Sequence, residues 1–292
     1  MNQSSGKKIS IITPSLNCAP FIRTCIESVL NQKYDNFEHI VVDGASRDGT
    51  LEVLKQYPHL KWISEPDKGE AQALNKALGM VRGDIIGWLN ADDYYLDGTF
   101  QRVLEEMDPQ KGRHVVYGKT NLISEDGNII KIADPIRPIN LAVLVRWFIY
   151  LDIFQPSIFF SKSVIDDVGF FREDLHFSID YDYWLRICTK GYKFHFADLV
   201  FSCSRLWRKG AKSSAPNSAQ ARSWHQISSP YIKQLTFFER MKFWRDYYFL
   251  YKIPNSLYLG YKLIGLPEEE NTFILKSLKN IKNKISKTYS QS

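Results

Sequence analysis

The sequence predicts an α/β fold built on a mostly parallel sheet flanked by helices, and three observations predict it. Short apolar runs of strand length alternate with helical patterns through residues 8–89. The runs are continuous and β-branched rather than strictly alternating, which marks strands buried on both faces. Each run ends on polar or acidic residues, as strands do where they feed a crossover helix in βαβ units.

The first strand is Lys8–Thr13 (KISIIT), and Phe21–Leu30 follows with apolar residues at helical spacing. Glu38–Asp43 (EHIVVD) is a second strand ending on a carboxylate, followed by GASRDGT and a helix around Leu51–Gln56. Leu60–Ser64 is a third strand, Gly69–Val81 a helix of small residues, and Asp84–Leu89 (DIIGWL) a fourth strand. A helix over Asp97–Met107 comes next, and His114–Lys131 reads as strands around the turn Glu125-Asp126-Gly127.

Leu141–Phe160 is long and apolar enough to raise a membrane span, but Arg146, Asp152 and Pro156 interrupt it. Charges near a helix centre cost about 2.5–3.5 kcal/mol each on insertion scales, so the stretch reads as a buried or interfacial helix followed by a strand. Asp180–Lys190 is an amphipathic helix. From Ser213 to Ser229 the composition turns to Ser, Ala, Asn and Gln, as in a linker or mobile loop. Tyr231–Tyr261 then interleaves eleven aromatics with Lys and Arg, and Lys276–Lys287 reads as a basic amphipathic helix.

Composition narrows the function classes. With 292 residues, 44% hydrophobic and 14% aromatic, the chain can bury a large core. Its four cysteines form no CxxC pair, which suits a reducing compartment. The polar stretch Met1–Lys8 has no apolar h-region, so no cleaved signal peptide is expected, and the expected location is cytoplasmic. Residues 1–204 hold 22 Lys/Arg against 27 Asp/Glu, whereas 205–292 hold 16 against 5, a net of +11. A basic segment of that kind can meet nucleic acid, an anionic membrane or an acidic ligand.

In an open parallel sheet, ligands bind beyond the carboxyl ends of the strands. Here those ends carry Thr13-Pro14, Asp43, Glu65-Pro66-Asp67 and Asn90-Ala91-Asp92-Asp93. Two adjacent carboxylates repel, so keeping both ionised calls for a cation or several donors nearby. Mn²⁺ or Mg²⁺ suits such a turn, because it takes one or two carboxylates and completes its shell with water and phosphate oxygens. A solvated turn capping the next helix is the plain alternative.

Five segments in order carry a family resemblance: TPSLN (13–17), VVDGASRDGT (41–50), SEPDKGEAQALNKAL (64–78), GDIIGWLNADD (83–93) and SIDYDYWLR (178–186). Together they resemble glycosyltransferase family 2, over about residues 8–205. The resemblance implies a GT-A fold with a Rossmann-like nucleotide-binding half and a C-terminal helical extension. It implies a catalytic domain over 1–212, with a donor half at about 8–113 and an acceptor half at about 114–212, then a linker and basic-aromatic tail over 213–292.

It also implies roles. Thr13, Pro14 and Asp43 would contact the nucleoside, Asp67 and Asn75 would share the donor pocket, Asp92 would bind the ribose, and Asp93 would hold the divalent metal. Asp180 would be the general base of an inverting transfer from a nucleotide-diphospho-sugar, with UDP the expected carrier. Asp180 equally suits a helix N-terminus, and the two roles are compatible. Asp182, two residues on, faces away from it and is structural or acceptor-side. Gln155 matches an acceptor-side stretch, and Trp184 either stacks on a sugar or fills the core. Lys68 and Arg47 would either reach the diphosphate or be plain surface cations, the second being the reading preferred, and His114, His176 and His195 show no metal-ligand spacing.

The chain departs from the family where relatives carry Arg-x-His after the last core strand, because Trp207 takes the histidine's place. Either the metal has fewer protein ligands, or Arg208, Lys209 or Lys212 supplies charge to the phosphates. The acceptor expected is a glycan or lipid-linked hydroxyl in surface polysaccharide synthesis, with residues 231–287 either resting on an anionic membrane or forming a helical cap on the catalytic domain or an oligomer contact. A sugar-nucleotide nucleotidyltransferase would favour a Gly-rich basic loop after the first strand, which TPSLNCAPF lacks. No GxGxxG follows that strand either, which counts against a dinucleotide oxidoreductase. A non-catalytic sugar or polyanion binder is the remaining alternative, and nucleic acid is not the expected partner.

Overall fold

The computed structural model describes residues 6–146, 153–206 and 217–252, with the side chains of 217–222 and 247–252 excepted. Four parallel strands form one side of the sheet: β1 (Ile9–Ser15), β2 (Phe37–Asp43), β3 (Leu60–Ser64) and β4 (Ile85–Trp88). Helices α1 (Ile22–Leu30), α2 (Thr50–Leu54) and α3 (Glu70–Met80) cross over between them. The remainder is β5 (Tyr94–Tyr95), α4 (Thr99–Glu106), β6 (Val115–Ile123), β7 (Ile129–Ala133), α5 (Leu141–Leu144), β8 (Ile158–Ser161), α6 (Lys162–Val168), α7 (Ile179–Thr189) and β9 (Phe194–Arg205). Two helices follow, α8 (Asn217–Ile232) and α9 (Phe237–Lys252).

All the strands belong to one sheet in the order β3-β2-β1-β4-β8-β6-β9-β5, with β7 paired to β6. The chain runs outward from β1 to β3 and returns to β4 beside β1. That reversal makes the carboxyl ends of β1 and β4 a topological switch point, where open α/β sheets bind ligands. The expected donor and acceptor halves thus share a single sheet.

The continuous apolar runs are explained by burial on two faces. Ile9 and Ile11 of β1 pack with Phe100, Val103 and Phe159, while Ile12 packs on the other face with Leu74, Ala77 and Trp88. Helix α1 buries Ile22, Cys25, Ile26 and Val29, one stripe at i, i+3, i+4 and i+7. Small residues let α3 lie close to the sheet, with Ala71, Ala73 and Ala77 at 3% exposure or less. Gly87 breaks the apolar run of β4 because a Cβ there would meet the Phe159 ring at 2.6 Å and the Tyr95 hydroxyl at 2.7 Å.

One expectation changes. The stretch 213–229 is not a linker where it is described: Asn217 onward belongs to α8, and Ile227 and Ile232 join the main core cluster. Sequence polarity misleads there because few of its residues need to be apolar to dock the helix. Within 141–160 the expected helix followed by a strand is present among the described residues as Leu141–Leu144, then a 3-10 turn at Gln155–Ser157 and β8, with residues 147–152 outside the described residues. Strand β9 is twelve residues long, with its alternation interrupted at Ala197-Asp198, and its pairing with β6 shifts register there. Residues 207–216 and the basic segment 276–287 lie outside the described residues, and with them Trp207, Arg208, Lys209 and Lys212. No helix among the described residues is long and apolar enough to cross a membrane.

Candidate functional site

At the end of β2, Asp43 is fully buried and its carboxylate is occupied by the turn that follows. It accepts hydrogen bonds from the Ser46 N–H at 2.8 Å, the Ser46 hydroxyl at 2.5 Å and the Ser64 hydroxyl at 2.7 Å. Ser46 in turn accepts from the Asn17 N–H at 2.7 Å, joining the loops after β1 and β2. Gly44 has no room for a side chain, since a Cβ would sit 2.8 Å from the Asp67 carboxylate. Asp67, half-buried, also accepts from the Gly69 N–H at 2.9 Å. Asp43, Ser46, Asn17 and Asp67 therefore form one contiguous polar edge.

Thr13 does not line that edge. Its side chain is fully buried and bonds His39 Nε2 at 2.9 Å. Burial, and then the nearby His59, push His39 down to about 3, so it is neutral. The Thr13 side chain is thus a β1–β2 cross-link, and Pro14 is half-buried at the edge.

The acidic turn after β4 splits its two carboxylates. Asp93 is 3% exposed, and its Oδ1 accepts from the Arg205 N–H at 2.9 Å. Burial, then the adjacent Asp92, push its carboxyl well above the usual range. Asp92 is half-exposed. Arg205 binds the turn from outside: Nε donates to the Asp92 carbonyl at 3.3 Å, Nη1 to the Ser124 carbonyl at 3.0 Å, and the guanidinium lies 4.6 Å from the Phe21 ring centroid. The donor set fits a hard divalent cation, because repulsion between the two carboxylates is what a cation relieves and phosphate oxygens would complete the shell. Among the described residues no cluster of three or more His, Cys, Asp or Glu forms a metal cage.

The start of α7 repeats this split. Asp180 is half-exposed in the first turn, where an acidic residue suits the helix dipole. Asp182 is 1% exposed and accepts from Arg186 Nε at 2.8 Å, with Arg172 Nη1 at 3.5 Å. Asp182 therefore takes the structural of its two expected roles. Trp184, 2% exposed, packs edge-on against Phe160 and Phe194 and is core. Gln155 is buried and its Nε2 donates to the Trp88 carbonyl, so it braces the end of β4 from within rather than facing an acceptor.

Asn75 is likewise committed. Its Nδ2 donates to the Phe171 carbonyl and to Glu173 Oε1, both at 2.9 Å, and its Oδ1 accepts from the Phe171 N–H at 2.8 Å. It ties α3 to the segment leading into α7 instead of lining the donor pocket. The Phe171 ring lies 5.2 Å from Trp88 and 4.3 Å from Tyr183, so the same segment packs α7 against the end of β4. A cavity of about 150 Å³ separates Lys68–Gln72 from Glu173–Phe177, directly before Ser178 and Asp180. Motifs more than a hundred positions apart thus face each other across one cleft.

Arg205 and the Asn75–Glu173 tie were not legible as site-builders.

Comparison with known proteins agrees with this geometry. The family model described as Glycosyl transferase family 2 matches residues 10–169. An uncharacterized glycosyltransferase of Rickettsia felis is 27% identical over 248 residues, covering 80% of this chain and 40% of its own length. The chondroitin synthase of Escherichia coli is 28% identical over 194 residues, covering 63% of this chain and 27% of its own. The chain thus spans well under half the length of these relatives. Among solved structures, the Pyrobaculum calidifontis mannosyltransferase PcManGT in complex with GDP-Man and Mn²⁺ superposes with a TM-score of 0.60 at 17% identity, over 98% of this chain and 83% of that one. S. aureus TarS 1–349 in complex with UDP-GlcNAc gives 0.62 at 17% identity, over 85% and 76%. These likenesses establish the GT-A type of α/β fold.

Proposed function

From the premise that the chain belongs to glycosyl transferase family 2 and is a glycosyltransferase, we propose that it moves a sugar from a nucleoside diphosphate to an acceptor hydroxyl with inversion at the anomeric carbon. The observation that supports this reading is the cleft between Lys68–Gln72, which follow β3, and Glu173–Phe177, which lead into the helix bearing Asp180.

In this reading the polar edge of Asp43, Ser46, Asn17, Asp67 and Pro14 binds the nucleoside. Asp43 orients the loop through Ser46, and the backbone and half-buried side chains make the contacts. A divalent cation, Mn²⁺ or Mg²⁺, would be held at the Asp92–Asp93 turn, where it would supply Lewis-acid stabilisation of the departing diphosphate. Asp92 is the more exposed of the two carboxylates, and Asp93, held by Arg205, fixes the turn. Asp180 accepts the proton of the acceptor hydroxyl as its oxygen attacks the anomeric carbon. The new C–O bond forms on the face opposite the breaking bond, and that bond's electron pair leaves on the nucleoside diphosphate.

Relatives named chondroitin synthase and hyaluronan synthase support a glycan acceptor, and a lipid-linked glycan is the class we favour. The donor screen that tests this pits UDP-sugars against GDP-sugars with Mn²⁺, read by thermal shift and by nucleotide release. UDP with Mn²⁺ is expected to stabilise the protein, and Asp92→Asn/Asp93→Asn to abolish the effect. Equal stabilisation without metal, or by no nucleotide at all, would overturn the reading.

A further inference from the structure

Helix α9 turns four large apolar side chains away from the core it docks against. It opens with a capping box in which the Thr236 N–H donates to Glu239 Oε2 at 2.8 Å and the Glu239 N–H to Thr236 Oγ1 at 3.3 Å. The helix docks through Phe243, 1% exposed and part of the main core, and through the ion pair of Asp246 with Arg146. Phe237, Phe238, Met241 and Trp244 are instead 64, 81, 56 and 52% exposed.

At about 100° of rotation per residue, those four side chains fall within an arc of about 120°, centred opposite Phe243 and Asp246, and the exposed Arg245 lies inside that arc with its guanidinium turned to Asp246 Oδ1 at 2.8 Å. The same wheel sets Arg240 on one margin of the arc and Lys242 on the other, both exposed. Lys233, also exposed, lies just upstream.

We propose that α9 seats the protein on an anionic lipid bilayer, with Phe237, Phe238, Met241 and Trp244 entering the boundary between headgroups and acyl chains. Phe and Trp are suited to that boundary, and a helix with an apolar face bordered by cations lies flat in it. Arg240 and Lys242 then meet lipid phosphates, and the net charge of +11 across residues 205–292 adds attraction at longer range. Charge also argues against a second copy as the occupant, because a two-fold contact on this face would bring the two sets of cations together. The docked side of α9 faces the core, so the helix would lie between the catalytic fold and the membrane. This assignment is independent of the transfer reaction, and its test measures no catalysis.

The experiment is flotation of the full chain with vesicles of phosphatidylcholine alone or with about a third phosphatidylglycerol, alongside the variant Phe237→Ser/Phe238→Ser/Trp244→Ser and the variant Arg240→Glu/Lys242→Glu. Circular dichroism and melting temperature check that each variant, altered only at exposed positions, is folded. The wild type is expected to float with the anionic vesicles, the serine variant to lose at least about fivefold of the bound fraction, and the charge-reversal variant to lose its preference for anionic lipid. Wild-type flotation by the serine variant would assign any membrane contact to residues outside α9 and overturn the proposal. So would failure of the wild type to float, or a wild-type dimer in light scattering that the serine variant converts to monomer.

Discussion

The turn at Asp92–Asp93 and the start of α7 at Asp180–Asp182 solve one problem in the same way. Each region holds two carboxylates close in sequence, and each divides them between the interior and a half-exposed position. Asp93 and Asp182 are 3% and 1% exposed and are held by Arg205 and Arg186, respectively, whereas Asp92 and Asp180 stay half-exposed. The difference lies in how each division is enforced. On α7 it follows from helical phase, since positions two apart point about 200° apart. On the turn it depends on β9, whose Arg205 N–H is brought from more than a hundred positions away. Each acidic pair therefore consists of one half-exposed carboxylate and one buried carboxylate held by an arginine.

The two halves of each pair are expected to fail differently. Asp180→Asn should lower the transfer rate by about 10²–10⁴ with donor binding and melting temperature retained. Asp182→Asn should instead destabilise the fold by about 3 kcal/mol, because Arg186 and Arg172 lose their buried acceptor. Reversal of those two outcomes, in transfer assays and thermal melts, would break the comparison at α7.

At the turn the contrast is smaller. Asp93→Ala leaves the Arg205 N–H without its acceptor and is expected to cost about 1–3 kcal/mol in the absence of any ligand. Asp92→Ala should stay within about 0.5 kcal/mol of wild type in the same denaturant titration while weakening donor binding. A normal Mn²⁺-dependent stabilisation by UDP in Asp92→Ala, lost in Asp93→Asn, would transfer the metal to Asp93.

The smallest effect expected lies at the opposite end of β2 from Asp43. Burial alone would raise Glu38, but the Lys61 ammonium, the Ser10 hydroxyl and the Arg82 N–H outweigh it and hold the carboxyl down at about 2. A depressed carboxyl stabilises the fold above its unfolded value of about 4.5 and loses that contribution as pH falls toward 2. The stability difference between wild type and Glu38→Gln should therefore be constant near neutral pH and shrink between pH 4.5 and 2. A difference unchanged across that range would show that Glu38 acts by packing rather than by charge.

Much of the fold was legible because its signals are local. Continuous β-branched runs, the stripe of α1 and the small residues of α3 announce βαβ units wherever they occur. The carboxyl-edge residues were legible as a set for the same reason, since strand ends can be read directly. What each of them touches was not. Thr13 faces inward because a strand alternates its sides and β2 supplies His39, and Asn75 is spent on Phe171 and Glu173 because α3 happens to pack there.

Sequence alone determined the class of chain, the order of its first four strands and helices, and the carboxylates worth testing, because periodicity and turn chemistry act between near neighbours. Tertiary structure alone decided which carboxylate of each pair is buried, that 217–232 is a docked helix, and that the aromatic stripe of α9 faces outward. Burial and hydrogen-bond partnership are set by segments far apart in the chain, and no local pattern encodes which of them will meet.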